Sequence, residues 1–146
     1  MNTSRTPRRL VRGVVAAVAM ITLLAGCLST SQQTALNALN RDRKSYGLAT
    51  LRTNSTIQKK AQAWAEQLAR DNYLHHSVLT SGVPSCWRSL GENVGYGGSI
   101  GQIEVAYMNS PLHRANILNR SYTMSGVGVA SRGNRIFTAQ VFMGGC

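Results

Sequence analysis

The chain has 146 residues, enough for one domain, and carries 16 Lys and Arg against 5 Asp and Glu. A net charge of +11 draws such a chain to anionic partners. Nucleic acid is excluded from them, because no basic stripe is interleaved with aromatics.

In chain order, Arg5, Arg8, Arg9 and Arg12 open the sequence, and an uncharged, largely apolar run follows from Gly13 to Gly26. That run is too short to cross a bilayer comfortably and fits a secretory signal. Arg8-Arg9 hints at twin-arginine export, but the residues after it fit poorly, so general secretory export is expected. The run ends in Leu24-Ala25-Gly26-Cys27, which matches the lipobox of bacterial lipoproteins, where cleavage precedes a cysteine that receives diacylglycerol. The expected organisation is a signal over residues 1–26, a lipid-bearing tether over 27–33 and a domain over 34–146. Removing the signal takes away four arginines and no acids, which lowers the net charge from +11 to +7. With Cys27 committed to lipid, Cys86 and Cys146 are left to pair in an oxidising compartment. Such a bridge is worth about 4 kcal/mol in the chain-entropy account.

Leu36, Leu39, Arg43 and Tyr46 predict a first helix over 34–46, stopped by Gly47. A second helix is predicted from Ser55, with Ser55 and Gln58 as a capping box, to about Asp71–Asn72. Its buried stripe is Ile57, Ala61, Trp64 and Leu68, and its opposite face carries Lys59, Lys60, Glu66 and Arg70. Residues 78–90 read as an irregular loop. Gly91-Glu92-Asn93-Val94-Gly95 reads as a short strand or turn whose glycines permit close approach and positive φ. Ser99 and Gln102 open a third helix to about Asn109, with Ile103 and Tyr107 inward. Ser110-Pro111 then predicts a serine-capped helix with His113 in its first turn. Strands over 126–130 and 135–142, joined by a tight turn at 131–134, complete an α+β domain with helices over an antiparallel sheet. No internal repeat and no transmembrane helix is read after residue 26.

The chemistry gathers at Leu74-His75-His76-Ser77 and in residues 91–120. Two histidines and a carboxylate can make a metal site, an acid/base pair or a polar knot in the core, and the residues alone leave all three open. His75 reads as a surface neighbour, and Arg114 and Asn116 as residues that fix their helix.

The order of motifs carries more. Asn40, Arg43, Gly47-Leu48, Trp64-Ala65, His76-Ser77, Gly91-Glu92-Asn93-Val94, Ser110-Pro111, His113-Arg114, Asn116-Ile117-Leu118 and Gly126-Val127-Gly128-Val129 together resemble the CAP superfamily. That superfamily holds cysteine-rich secretory proteins, antigen 5 and plant pathogenesis-related proteins, and the likeness is greatest to its bacterial SCP-like branch. It covers about residues 34–143. It implies a three-layer α-β-α sandwich with a small antiparallel sheet, a C-terminal hairpin and a central cavity. Many members line that cavity with two histidines and two acids, and some bind zinc there. Carried over by motif, the first histidine is His76, the first acid Glu92 and the second histidine His113. The second acid falls on Ser110, so the tetrad is incomplete, and Glu104 is expected to face solvent or flank the site.

His76, Glu92 and His113 are therefore expected to converge on one pocket, with zinc as the cofactor if they ligate a metal. The helical HExxH spacing is absent, and the only neighbouring hydroxyl is Ser77. Two functions follow. One is a lipid-anchored, exported binding module of the bacterial envelope, held to the membrane by Cys27 and contacting a wall polymer, a lipid or an envelope protein. The other is a metal-dependent hydrolase of peptidoglycan or peptide.

Overall fold

The computed structural model describes Met1 and residues 27–146; the signal expected over 1–26 otherwise lies outside the described residues. In order come α1 (Thr30–Ser45), β1 (Arg52–Thr53), α2 (Ser55–Asp71), β2 (Trp87–Gly97), α3 (Ile100–Asn109), α4 (Pro111–Ile117), β3 (Met124–Arg132) and β4 (Arg135–Gly145). The strands form one sheet in the order β1-β3-β4-β2. All pairings are antiparallel except the short parallel contact of β1 with β3. Helix α2 packs on one face, through Ile57, Ala61, Ala65 and Leu68. Helices α1, α3 and α4 cover the other, around Leu39, Ile103, Tyr107, Ile117 and Phe142. This is a three-layer α-β-α sandwich.

The tether expected over 27–33 is corrected. Helix α1 already begins at Thr30, because Ser29 Oγ accepts from the Gln32 N–H and Gln32 Oε1 accepts from the Ser29 N–H. Leu28 is seated against Ala35, Leu36 and Val127. At the other end of α1, the buried Arg43 guanidinium donates to the carbonyls of Ala49, Ile117 and Asn119, which ties α1 to the loop after it and to the end of α4.

The start of α2 also differs from expectation. Its cap is Asn54, whose Oδ1 accepts from Thr56 and Ile57 N–H groups, not Ser55. Gln58 is free of any cap because it serves the sheet. Its side-chain amide exchanges two hydrogen bonds with the backbone of Val127, and Gln62, one turn on, does the same with Val129. Beyond its pairing with β1, the outer edge of β3 would offer bare N–H and C=O groups. Two glutamines on one helix face satisfy them.

Helix α2 can lie that close only because β3 lacks side chains beneath it. A Cβ on Gly126 would stand 2.2 Å from Ile57 O, and one on Gly128 2.0 Å from Ala61 O.

Strand β2 is longer than the short segment expected, running eleven residues from Trp87, so the last part of the 78–90 loop is strand. Pairing with the end of β4 draws it out, and the Cys86–Cys146 disulfide closes the ladder just beyond the Trp87–Gly145 pair. β3 and β4 likewise extend past 126–130 and 135–142, and their turn tightens to Gly133-Asn134, with Gly133 at φ +59. Ser110 stands at the cap of α4 but makes no side-chain capping hydrogen bond; Pro111 sets the first turn instead.

Candidate functional site

Strand β2 is an edge strand whose period-two alternation sorts its side chains between two layers. Leu90 and Val94 pack on the α2 side, and Glu92 lies between them on the same side. Gly91, Asn93 and Gly95 face the other way. A Cβ on Gly91 would meet the Tyr122 hydroxyl and Asn116 Oδ1, and one on Gly95 the Tyr107 ring. Of the two freedoms these glycines offer, the structure uses close approach and not positive φ: bulky neighbours resting on the strand are what require them.

On the α2 side the carboxylate of Glu92, 6% exposed, is held by one dipeptide. Its Oε1 accepts from the Ser77 N–H at 2.9 Å and faces His76 Nδ1 at 2.8 Å. Its Oε2 accepts from the Ser77 hydroxyl at 2.6 Å. A carboxylate requires a donor opposite it, so Nδ1 carries the His76 proton and Nε2 is left outward. The His76 side chain is 61% exposed. Lys60 reaches over from α2 and donates to the carbonyls of Val78 and Ser81, fixing the segment that follows the clamp. Burial lowers the Lys60 pKa, and the nearby Glu92 charge raises it in part. His75 is turned away, paired with Asp71 and packed against Trp64 and Tyr73.

On the opposite side of β2 lies a chain of amides. Asn116 Nδ2 donates to Glu92 O and Asn93 Oδ1, and Asn93 Nδ2 donates to His113 O and Gln140 Oε1. Gln140 Nε2 in turn donates to Glu104 Oε2 at 2.7 Å. Asn116 thus fixes α4 to β2. His113 belongs to this layer. Its ring lies 5.0 Å from that of Tyr107, and its pKa is lowered first by burial and second by the charge of His76. Tyr107, wholly buried against Thr138, is held protonated by its burial.

The structure therefore joins His76 to Glu92 and sets His113 beside them, across the edge strand. Among the described residues the His113 ring hydrogen-bonds neither partner. Glu104, expected to face solvent or flank, is 4% exposed, with burial as the first cause of a pKa pushed up to about 8. Its place one turn before Tyr107 on the inner stripe of α3 is the sequence signal for this; its charge obscures that signal. Gln140 is the other residue that the motifs do not mark; Ser77, which they do mark, serves as a donor to Glu92.

Zinc does not fit this arrangement. Among the described residues no group of three or more His, Cys, Asp or Glu side chains could hold a metal ion. The one acid near two histidines spends its oxygens on Ser77 and His76, and among the described residues the His113 ring packs on Tyr107 and makes no hydrogen bond to that acid. Nor is a nucleophile prepared: the Ser77 proton points at Glu92, and His76 presents no nitrogen to Ser77. What remains is a rigid carboxylate clamp that aims one exposed imidazole outward.

Residues 36–143 match the family model of the cysteine-rich secretory protein family, CAP. The chain belongs to the CAP family. Among curated proteins it is 32% identical over 122 residues to YkwD, an uncharacterized protein of Bacillus subtilis (strain 168), covering 77% of this chain and 47% of that one. The chain thus spans about half the length of that relative. An extracellular protein containing an SCP domain from Bacillus anthracis superposes with a TM-score of 0.65 at 24% identity, over 82% of this chain and 45% of that one. An outer surface protein of Borrelia burgdorferi superposes at 0.69 and 17% identity, over 80% and 93% of the two chains. These likenesses establish the CAP fold. Within it, the Gly91-Glu92-Asn93 motif is the part of edge strand β2 that serves both layers.

Proposed function

We propose that this CAP domain is an exported, lipid-anchored binding module of the cell envelope. Its recognition surface is centred on His76 and the Ser77–Glu92 clamp, and it recognises an anionic component of the envelope. The observation that carries the reading is the commitment of both Glu92 oxygens to Ser77 and His76. A carboxylate so occupied orients an imidazole for contact and leaves no activated nucleophile beside it. Charge supports the anionic partner. Of five acids, Glu92 and Glu104 are buried, so the surface of the described domain offers only Asp42, Glu66 and Asp71 against its many cations. The lipobox and an exposed Cys27 outside the disulfide support the anchor.

The test is photo-crosslinking on intact cells, with a reactive group placed beside His76. A saturable envelope adduct, lost on His76→Ala with the fold intact, agrees with the reading. Turnover of peptidoglycan or peptide by the purified protein contradicts it.

A further inference from the structure

A lipid on Cys27 would have no slack, because Leu28 is packed and Ser29 caps α1. Two residue steps separate Cys27 from Ser29 and span at most about 7 Å, so the cap of α1 is held close to the headgroups. Cys27 lines a groove of about 370 Å³ together with Lys59 of α2. Lys59 also lines a second groove, of about 770 Å³, on the other side of the helix ridge. There Lys59, Ala63, Gln67 and Arg70 follow one face of α2, and Ser77 and Val78 form part of the opposite wall. The stripe from Lys59 to Arg70 is roughly 16 Å long at the helical rise of about 1.5 Å per residue. It has an exposed cation at each end, and no carboxylate lines the groove.

We propose that α2 lies along the leaflet that holds the Cys27 acyl chains, with Lys59 and Arg70 reaching the phosphates of anionic phospholipid headgroups. The inference rests on the acylation proposed above. The short connection fixes which end of the domain meets the membrane, and Lys59 is the cation that lines the anchor's groove, which Glu66 also lines. Lys60, held by the Val78 and Ser81 carbonyls, stiffens the far wall instead of contacting lipid. Ser77 lines the same groove, so the His76–Glu92 clamp opens beside the headgroups and meets ligands at the membrane surface.

The chain has three lysines, Lys44, Lys59 and Lys60, which makes amine labelling a direct test. Acylated protein purified from its membranes is reconstituted in phosphatidylcholine vesicles with or without phosphatidylglycerol, floated, labelled and mapped by mass. On anionic vesicles, labelling of Lys59 should fall several-fold relative to Lys44, which stands in the last turn of α1. The protection should shrink at high salt, on neutral vesicles and in Arg70→Glu, and persist in Arg120→Glu. Equal labelling of Lys59 and Lys44 in floated protein overturns the docking and leaves the anchor standing. Protection that requires an added soluble polyanion overturns it in favour of a polymer. Protein that does not float overturns the anchor and the docking together.

Discussion

Gln140 donates to one carboxyl oxygen of Glu104 at 2.7 Å, while the other oxygen, buried between α3 and its neighbours, has no partner within hydrogen-bond geometry among the described residues. Burial is the first cause of the high pKa, the Asp42 charge on α1 adds to it, and Gln140 and Arg41 oppose it. A proton held up to about pH 8 in the folded chain is released near 4.5 in the unfolded one. Across that window the folded state binds the extra proton, so stability is full below it and is lost as pH rises through the folded value. Glu104→Gln should therefore flatten the fall in melting temperature that the wild type shows from mildly acidic to mildly alkaline pH. Parallel curves for the two proteins would show that Glu104 carries no such proton.

Loss of the Ser77 hydroxyl leaves a buried carboxylate with one donor fewer. Ser77→Ala should cost roughly 1–3 kcal/mol in denaturant unfolding. Amide exchange at Ser77 and Val78 should rise with it. Glu92→Gln keeps one oxygen for the Ser77 N–H but sets an NH2 donor against the Ser77 hydroxyl and removes the charge facing His76, and should loosen the same segment. Unchanged exchange in both variants would mean that the clamp does not hold this segment.

The contact of α2 with β3 gives a steric prediction. Gly128→Ala places a methyl within 2.0 Å of a helix carbonyl and should destabilise by about 3 kcal/mol or more. Gly101→Ala, in α3 with nothing within 4 Å of its added Cβ, should be neutral or stabilising. Calorimetry on the pair separates crowding from glycine's backbone freedom.

Reducing the Cys86–Cys146 bridge, whose cysteines are 60 residues apart, should remove about 4 kcal/mol in the chain-entropy account. Thermal unfolding with and without reductant measures it. Exchange should increase first at Trp87 and Gly145, the pair next to the bridge.

Much of the fold is legible in the sequence because helix periodicity and turn residues are local signals. The signals fail where a residue's partner lies far along the chain. Ser55 and Gln58 spell a capping box as clearly as Ser29 and Gln32, yet only the second pair forms one. Gln58 is drawn away by the open edge of β3, which no local pattern reveals. Glu104 looks like a surface residue until Gln140, on β4, supplies its donor. Motifs give order and not direction, so they do not tell that Glu92 is held by His76 and Ser77 while the His113 ring packs on Tyr107. The alternation of Glu92 and Asn93 along β2 is visible, but which of them faces α2 depends on where Ser77 and Asn116 arrive from distant segments.

The same layering bears on His113. Burial lowers its pKa first and the His76 charge second, so His76→Gln should raise it only part of the way to its ordinary value. An NMR titration of the His113 ring, compared with the wild type, reads this directly. An unchanged value would place His76 too far away to act on it.

The central claim, a binding module held at the membrane by Cys27, is tested most directly by the mass of the N-terminal peptide of the protein isolated from its host's membranes. The account predicts a chain beginning at Cys27 with a diacylglyceryl thioether on that residue, and a Cys27→Ser protein that no longer partitions into detergent. A mature chain carrying an unmodified Cys27 thiol would contradict it.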